Sequence, residues 1–234
     1  EPFVASLGLG IIVASSIDIA AVGFTMQFWI ANTINLAYCE VMIVCAYVAF
    51  YVNQRGVRVW ASMIAAALAG AVLSFLLNRF LYAPFQRKGT NLIGMVIISL
   101  AASLILANIL LPIVGFETSS YQVDQGPLVR WNGLVLTTAQ IAIIFVAAIL
   151  MLAVHGVLRY TRLGKAMRAT AANPTLARNC GIPTQRVIDL VWLLTGALCG
   201  VAVVVAGMNS ENLAVAGGAA SRIQLTAAAW RVVG

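Results

Sequence analysis

Charge is what this sequence has least of. Only 9% of its 234 residues are charged, whereas 62% are hydrophobic; soluble domains carry about a quarter charged residues. A water-facing surface of ordinary size cannot be built from so few charges. That excludes a cytoplasmic enzyme, a nucleic-acid-binding module and a disordered tail. Histidine occurs once, as His155, so a histidine-based zinc site is excluded too. Cys39, Cys45, Cys180 and Cys199 form no CxxC pair and read as small apolar packing residues. No GxxxxGK[ST] phosphate loop occurs, so the chain lacks that means of binding ATP. No secretory signal is recognisable either. The first residue is Glu1 and no basic segment precedes an apolar stretch, so the start is processed or not included.

Long apolar runs are what the chain does have. A stretch of about 20 apolar residues crosses the hydrocarbon core as a helix. Such stretches lie at roughly 7–31, 35–52, 59–81, 91–111, 134–158 and 185–206, and a further one opens near Ile223 and is cut off at Gly234. Between them stand Asn53-Gln54-Arg55-Gly56, Pro84 with Arg87-Lys88-Gly89, Pro112, and a polar stretch with Glu117, Asp124, Gly126-Pro127 and Asn132-Gly133. The pattern predicts an all-α, polytopic transmembrane helical bundle, a single domain over 1–234 with about six full spans and a truncated seventh.

The 14 Lys and Arg exceed the 7 Asp and Glu, and their placement orients the chain. Arg159, Arg162, Lys165, Arg168, Arg178 and Arg186 fall between the fifth and sixth spans with no acidic residue among them. Arg79, Arg87 and Lys88 lie two spans earlier, on the same side. The positive-inside rule makes this side cytoplasmic and puts the loop Gly115–Asn132, with Glu117, Asp124 and Arg130, outside. Arg55 and Arg58 then fall outside, against the rule. Alternation puts the amino terminus outside as well; a broken helix in the first 50 residues would reverse that.

Two regions carry chemistry. In the loop 159–183, the stretch Leu158 to Ala172 is amphipathic and basic. Asn173 suits an N-cap, Pro174 the first helical position and Gly181 the residue after a C-cap, so Pro174 to Cys180 reads as a short helix along the membrane surface. Such a helix either docks in another protein's groove or rests on anionic lipid headgroups. The second region holds Asn35 and Glu40, five residues apart and too far for one helical face unless the helix is broken. A break must line a cavity or be capped by a neighbour. Glu40 therefore either lines a translocation path or makes a buried structural hydrogen bond, and Asp18 is a further candidate for the path. Asn108 and Gln140 read as interhelical hydrogen-bonding groups, and the Gly196–Gly200 GxxxG and the small run Ala65–Ala71 as helix-packing surfaces.

Three stretches together resemble a known family. Arg159-Tyr-Thr-Arg-Leu-Gly-Lys-Ala-Met-Arg-Ala-Thr-Ala, then Gly181-Ile-Pro-Thr-Gln-Arg-Val-Ile, looks like the cytoplasmic loop of permease subunits of branched-chain amino acid ABC importers. Ala21-Val-Gly-Phe-Thr-Met with Ile34-Asn-Leu-Ala-Tyr-Cys-Glu is similar to that family's first signature, where a helix breaks near an Asn and an acidic residue. Asn78-Arg-Phe-Leu-Tyr-Ala-Pro-Phe resembles its segment before the fourth span. The resemblance spans roughly residues 15 to 230.

It implies a multi-pass permease of a bacterial or archaeal inner membrane, paired with a second, homologous permease subunit. Two ATPase subunits using ATP and Mg and an extracytoplasmic solute-binding protein would complete the importer. This chain would need no cofactor, perform no chemistry of its own and bind no nucleic acid. Asn35, Glu40 and Asp18 would be candidates for the translocation path. Arg168, Asn173, Pro174, Leu176, Ala177, Arg178 and Gly181 would belong to a cytoplasmic coupling helix, with its flanks, seated on an ATPase subunit. The solute would be a branched-chain amino acid or another small polar molecule. Two departures stand out. Tyr38-Cys39 occupies the place of the family's usual His-Gly pair. The chain also ends where the family runs on into further spans, with Trp230-Arg231 in a normally apolar stretch, which implies a fragment or a diverged carboxyl end. A secondary transporter or channel working without an ATPase is the alternative reading, and a non-transporting membrane scaffold is another.

Overall fold

The computed structural model describes residues 2–114, 128–131 and 134–210. Helix α1 (Pro2–Ala31) stops where Asn32 takes a left-handed φ of 49°, a conformation asparagine tolerates better than most side chains. Residues 32–37 are not helical, and α2 (Tyr38–Gln54) follows. α3 (Val59–Leu76) runs into one π-helical turn, Leu77–Tyr82, and then into the short α4 (Ala83–Arg87). α5 (Leu92–Val114) precedes an antiparallel hairpin, β1 (Leu128–Trp131) and β2 (Leu134–Thr137), in which Trp131 faces Leu134. α6 (Thr138–Tyr160), α7 (Arg162–Ala172), α8 (Pro174–Asn179) and α9 (Thr184–Ser210) complete the described chain.

Among the described residues, five helical segments are long and apolar enough to cross a membrane: Gly10–Ala31, Val59–Arg87, Leu92–Leu110, Gln140–Tyr160 and Thr184–Met208. The predicted second span is α2, which has only 17 residues. At 1.5 Å per residue it reaches about 25 Å, short of a hydrocarbon core of about 30 Å. The chain has turned back into the bundle before α2 begins. The Tyr38 hydroxyl donates to the carbonyl of Ala20, deep within α1, at 3.3 Å. The expected seventh span lies outside the described residues, as do Glu117 and Asp124 of the external loop.

The described fold is helical as expected, apart from this short hairpin, which corrects the start of the fifth span. Residues 134–137 are extended, and the helix begins only at Thr138. Its N-cap, Thr137, explains why: Gln140 reaches back and its Oε1 accepts from the Thr137 N–H at 3.0 Å. Gln140 is thus a local cap and not interhelical. Asn108 is local too, donating to the Leu104 carbonyl one turn back at 2.7 Å.

α9 forms the centre of the bundle. Its membrane window is 78% buried, against 17% for α5 and 11% for α6. Small residues make this possible. Gly196 lies against Gly70 and Gly200 against Ala66, backbone on backbone, and a Cβ at either α9 glycine would collide with the facing α3 carbonyl. The GxxxG therefore packs within the subunit.

The end of α1, α4, α7, α8 and the start of α9 gather at one end of the bundle. Gln86 of α4 bonds Thr33, and a cavity of about 620 Å³ is lined there by Trp29, Asn32, Gln86, Thr170 and Pro174 among others. This end carries Arg87, Lys88 and the arginines of α7 to α9, so the positive-inside rule assigns it to the cytoplasm. At the other end Arg55 lies 4.5 Å above the Tyr51 ring and donates to its hydroxyl at 3.0 Å, an arrangement suited to the interface.

Candidate functional site

The break at residues 32–37 is held by side chains from three helical elements. Asn35 is 1% exposed. Its Oδ1 accepts from the Tyr82 hydroxyl at 2.8 Å, and its Nδ2 donates to Gln27 Oε1 at 3.4 Å. Thr33 Oγ1 accepts from Gln86 Nε2 at 2.8 Å, and the same amide reaches the Ala31 carbonyl at 3.4 Å. Irregular backbone at membrane depth is tolerated only with such partners or beside a water-filled cavity. Here the side-chain partners are present, and the cavity described above borders Asn32 and Thr33. Its volume falls within the range of small-molecule sites.

The π turn sets the clasp. It buries Asn78 and Tyr82 while Arg79 and Phe80 stay exposed. Asn78 Nδ2 donates to Asp189 Oδ1 of α9 at 2.6 Å, and Gln185 Nε2 donates to the same oxygen at 3.3 Å. The Tyr82 ring lies 4.8 Å from that of Trp192, centroid to centroid. Asn78 Oδ1 and Trp192 Nε1 are buried without a hydrogen-bond partner among the described residues. π turns recur at functional sites because they displace the residues of one helical turn.

The three residues proposed for the path have three different settings. Asn35 sits in the clasp. Glu40, half-buried in the first turn of α2, accepts from Ser103 Oγ of α5 at 3.3 Å. Asp18 is exposed on the outer face of α1, along an apolar groove whose other wall includes Leu158, Met167 and Arg168. The structure brings none of the three together. Tyr38 is buried against Phe24, edge to face at 5.7 Å. Its ring fits because residue 23 is glycine; a Cβ there would lie 2.5 Å from the Tyr38 hydroxyl.

The basic loop folds much as its caps dictate. Asn173 Oδ1 accepts from the Leu176 N–H at 3.0 Å, and Pro174 opens α8. Gly181 has a φ of 83°, where a side chain would be strained. Its N–H bonds the Arg178 carbonyl at 3.0 Å and the Ile182 N–H bonds that of Ala177 at 3.0 Å, which is a Schellman motif. The helix ends at Asn179 with Cys180 as its C-cap, one residue earlier than predicted. Leu176 is 60% exposed and Ala177 4%. Arg178 is exposed too. Arg168 stands apart, on α7. Its Nη1 donates to the Leu158 carbonyl at 2.6 Å and so caps the end of α6.

Asp189, Asn78, Tyr82, Gln86 and Gln27 escaped the reading of the sequence. The signal for Asp189 was present: a carboxylate between Ile188 and Leu190 meets the same test that singled out Glu40. Asn78 and Tyr82 lie in the stretch Asn78 to Phe85 that resembles a family segment before the fourth span.

Known proteins carry the same pattern. The family model for the permease component of the branched-chain amino acid transport system matches residues 6–234. The high-affinity branched-chain amino acid transport system permease protein LivH of Escherichia coli is 30% identical over 216 residues, 85% of this chain and 68% of that protein. The corresponding protein BraD of Pseudomonas aeruginosa is 29% identical over 214 residues, 86% and 69% of the two chains. A probable LivH of Methanocaldococcus jannaschii is 28% identical over 203 residues, 82% and 62% of the two. No solved structure matches. With its apolar helices, its basic loop and this match along nearly its whole length, the chain belongs to the family of permease components of branched-chain amino acid transport systems.

Proposed function

We propose that this chain is the membrane-spanning permease subunit of an ATP-driven ABC importer in an inner membrane. It moves a branched-chain amino acid, or a similar small polar solute, handed over by an extracytoplasmic binding protein. A second, homologous permease subunit completes the pathway, and two ATPase subunits bind ATP and Mg on the cytoplasmic side. In this reading the chain crosses six times before its carboxyl-terminal part, α2 completing its crossing through residues 32–37.

The observation that carries the proposal is α8. It is a six-residue helix capped at both ends, held between two spans on the basic face, with Leu176 outward and Ala177 inward. An outward leucine on a rigid element suits a protein groove better than a layer of charged headgroups. Arg178 and the flanks Asn173, Pro174 and Gly181 frame that contact, while Arg168 fixes the junction of α6 and α7. Asp18 supports the second permease subunit. A carboxylate on the outer face of a span needs a polar neighbour or water, since lipid supplies neither.

The test is co-purification of the chain from its native membrane in mild detergent. An ATPase subunit and a second permease subunit are expected in the eluate. A chain that comes alone, or only with copies of itself, would favour a secondary transporter or channel. Within the assembled importer, Glu40→Ala is expected to lower solute uptake about tenfold or more, with the subunits still together. Full uptake in that variant would reduce the bond to Ser103 to a structural role.

A further inference from the structure

We infer that Asp189, Asn78, Tyr82 and Asn35 form a relay that carries movement of α8 to the break at residues 32–37. The inference rests on the importer reading, because it takes α8 as the element that partner ATPases displace.

α8 and α9 move together. The Schellman end of α8 ties Gly181 and Ile182 back to it, and Thr184 begins α9 two residues later. Asp189, in the second turn of α9, grips Asn78, and Trp192, one turn further, packs on Tyr82. The π turn is therefore held by α9 at two points. It holds the break through the hydroxyl of Tyr82 on Asn35, and α4, one turn on, adds a second hold through Gln86 on Thr33. Beyond the π turn, the contacts of Gly70 with Gly196 and Ala66 with Gly200 leave no room for α3 and α9 to slide. A tilt at the start of α9 must then pass into the π turn and on to Asn35.

Among the described residues the contact is also short of its full set of bonds, since Asn78 Oδ1 and Trp192 Nε1 are buried with no partner there. A fully satisfied network would be locked. One lacking an acceptor's partner and a donor's partner in the same helix contact leaves a second arrangement accessible, as a two-state element requires.

The experiment uses the importer co-purified with its ATPase and second permease subunits. It is reconstituted in proteoliposomes with its binding protein, with leucine as the transported probe. Uptake and ATP hydrolysis are measured on the same vesicles. Tyr82→Phe, which removes only a hydroxyl, and Asp189→Leu should leave hydrolysis within about twofold of wild type while leucine imported per ATP falls about fivefold or more. Exchanging the partners, Asn78→Asp with Asp189→Asn, keeps a donor facing an acceptor and should restore about half of the lost ratio or more. An unchanged ratio in Tyr82→Phe overturns the relay. So does a parallel fall of uptake and hydrolysis in all variants, which marks a purely structural cluster. If wild type imports leucine without ATP, or no ATPase co-purifies, the importer reading itself fails and the relay falls with it.

Discussion

Leu176→Glu is expected to cut transport-linked ATP hydrolysis about thirtyfold or more while every span stays inserted. The leucine is 60% exposed on a helix whose two ends are fixed by Asn173 and Gly181, so nothing among the described residues covers its apolar side chain. An anchor residue buried at an interface typically contributes about 2 kcal/mol or more, and a buried carboxylate left unpaired makes the loss larger. Ala177 offers the contrast. It is 4% exposed and its carbonyl closes the Schellman motif, so Ala177→Asp should dislodge α8 itself. Hydrolysis in the reconstituted complex gives the main readout. Protease sensitivity of the loop 159–183 separates the two variants: native for Leu176→Glu, increased for Ala177→Asp. Hydrolysis that continues and stays coupled in Leu176→Glu would remove α8 from the ATPase contact.

Gly196→Leu should have the largest effect on the fold. The added side chain meets the backbone of Gly70 and the Ser74 hydroxyl oxygen, and backbone cannot swing aside as a flexible side chain can. Overpacking of a core costs about 1–3 kcal/mol, which for a chain of this size lowers the melting temperature by about 2–12 °C. The true cost lies at the upper end, because α3 and α9 would have to separate along the seam that Gly200 and Ala66 share. Gly156→Leu is the control, since nothing lies within 4 Å of the Cβ position at that α6 glycine. Thermal stability in detergent should fall for the first and hold for the second. Equal stability would mean that the α3–α9 seam is looser than described.

What could be read from the sequence was local. Asn173, Pro174 and Gly181 each act within a few residues of themselves, so the caps of α8 were legible to within one position. The break near Asn35 was legible for a similar reason, because Asn35 and Glu40 could not share a helical face. The contacts that give the break its shape were not. Tyr38 reaches Ala20 across 18 positions, and Asn78 reaches Asp189 across 111. No periodicity encodes such pairings. The hairpin before α6 was hidden by its own composition, since Leu134-Val135-Leu136 continues the apolar run of the helix and only Thr137 with Gln140 marks the true start. Spacing could name Asp18, Asn35 and Glu40 as candidates but could not give the setting of each. A membrane helix has several polar neighbours to offer, and the three residues use different ones.

The fit of Tyr38 into the space left by Gly23 also bears on how this protein can change over generations. The ring is held at its hydroxyl by Ala20 and along its edge by Phe24, so a methyl group at position 23 would have to displace it from both. Gly23→Ala therefore costs more while the tyrosine is present than after a smaller residue has replaced it. The two sites are coupled, and the order that removes the ring first is the easier one.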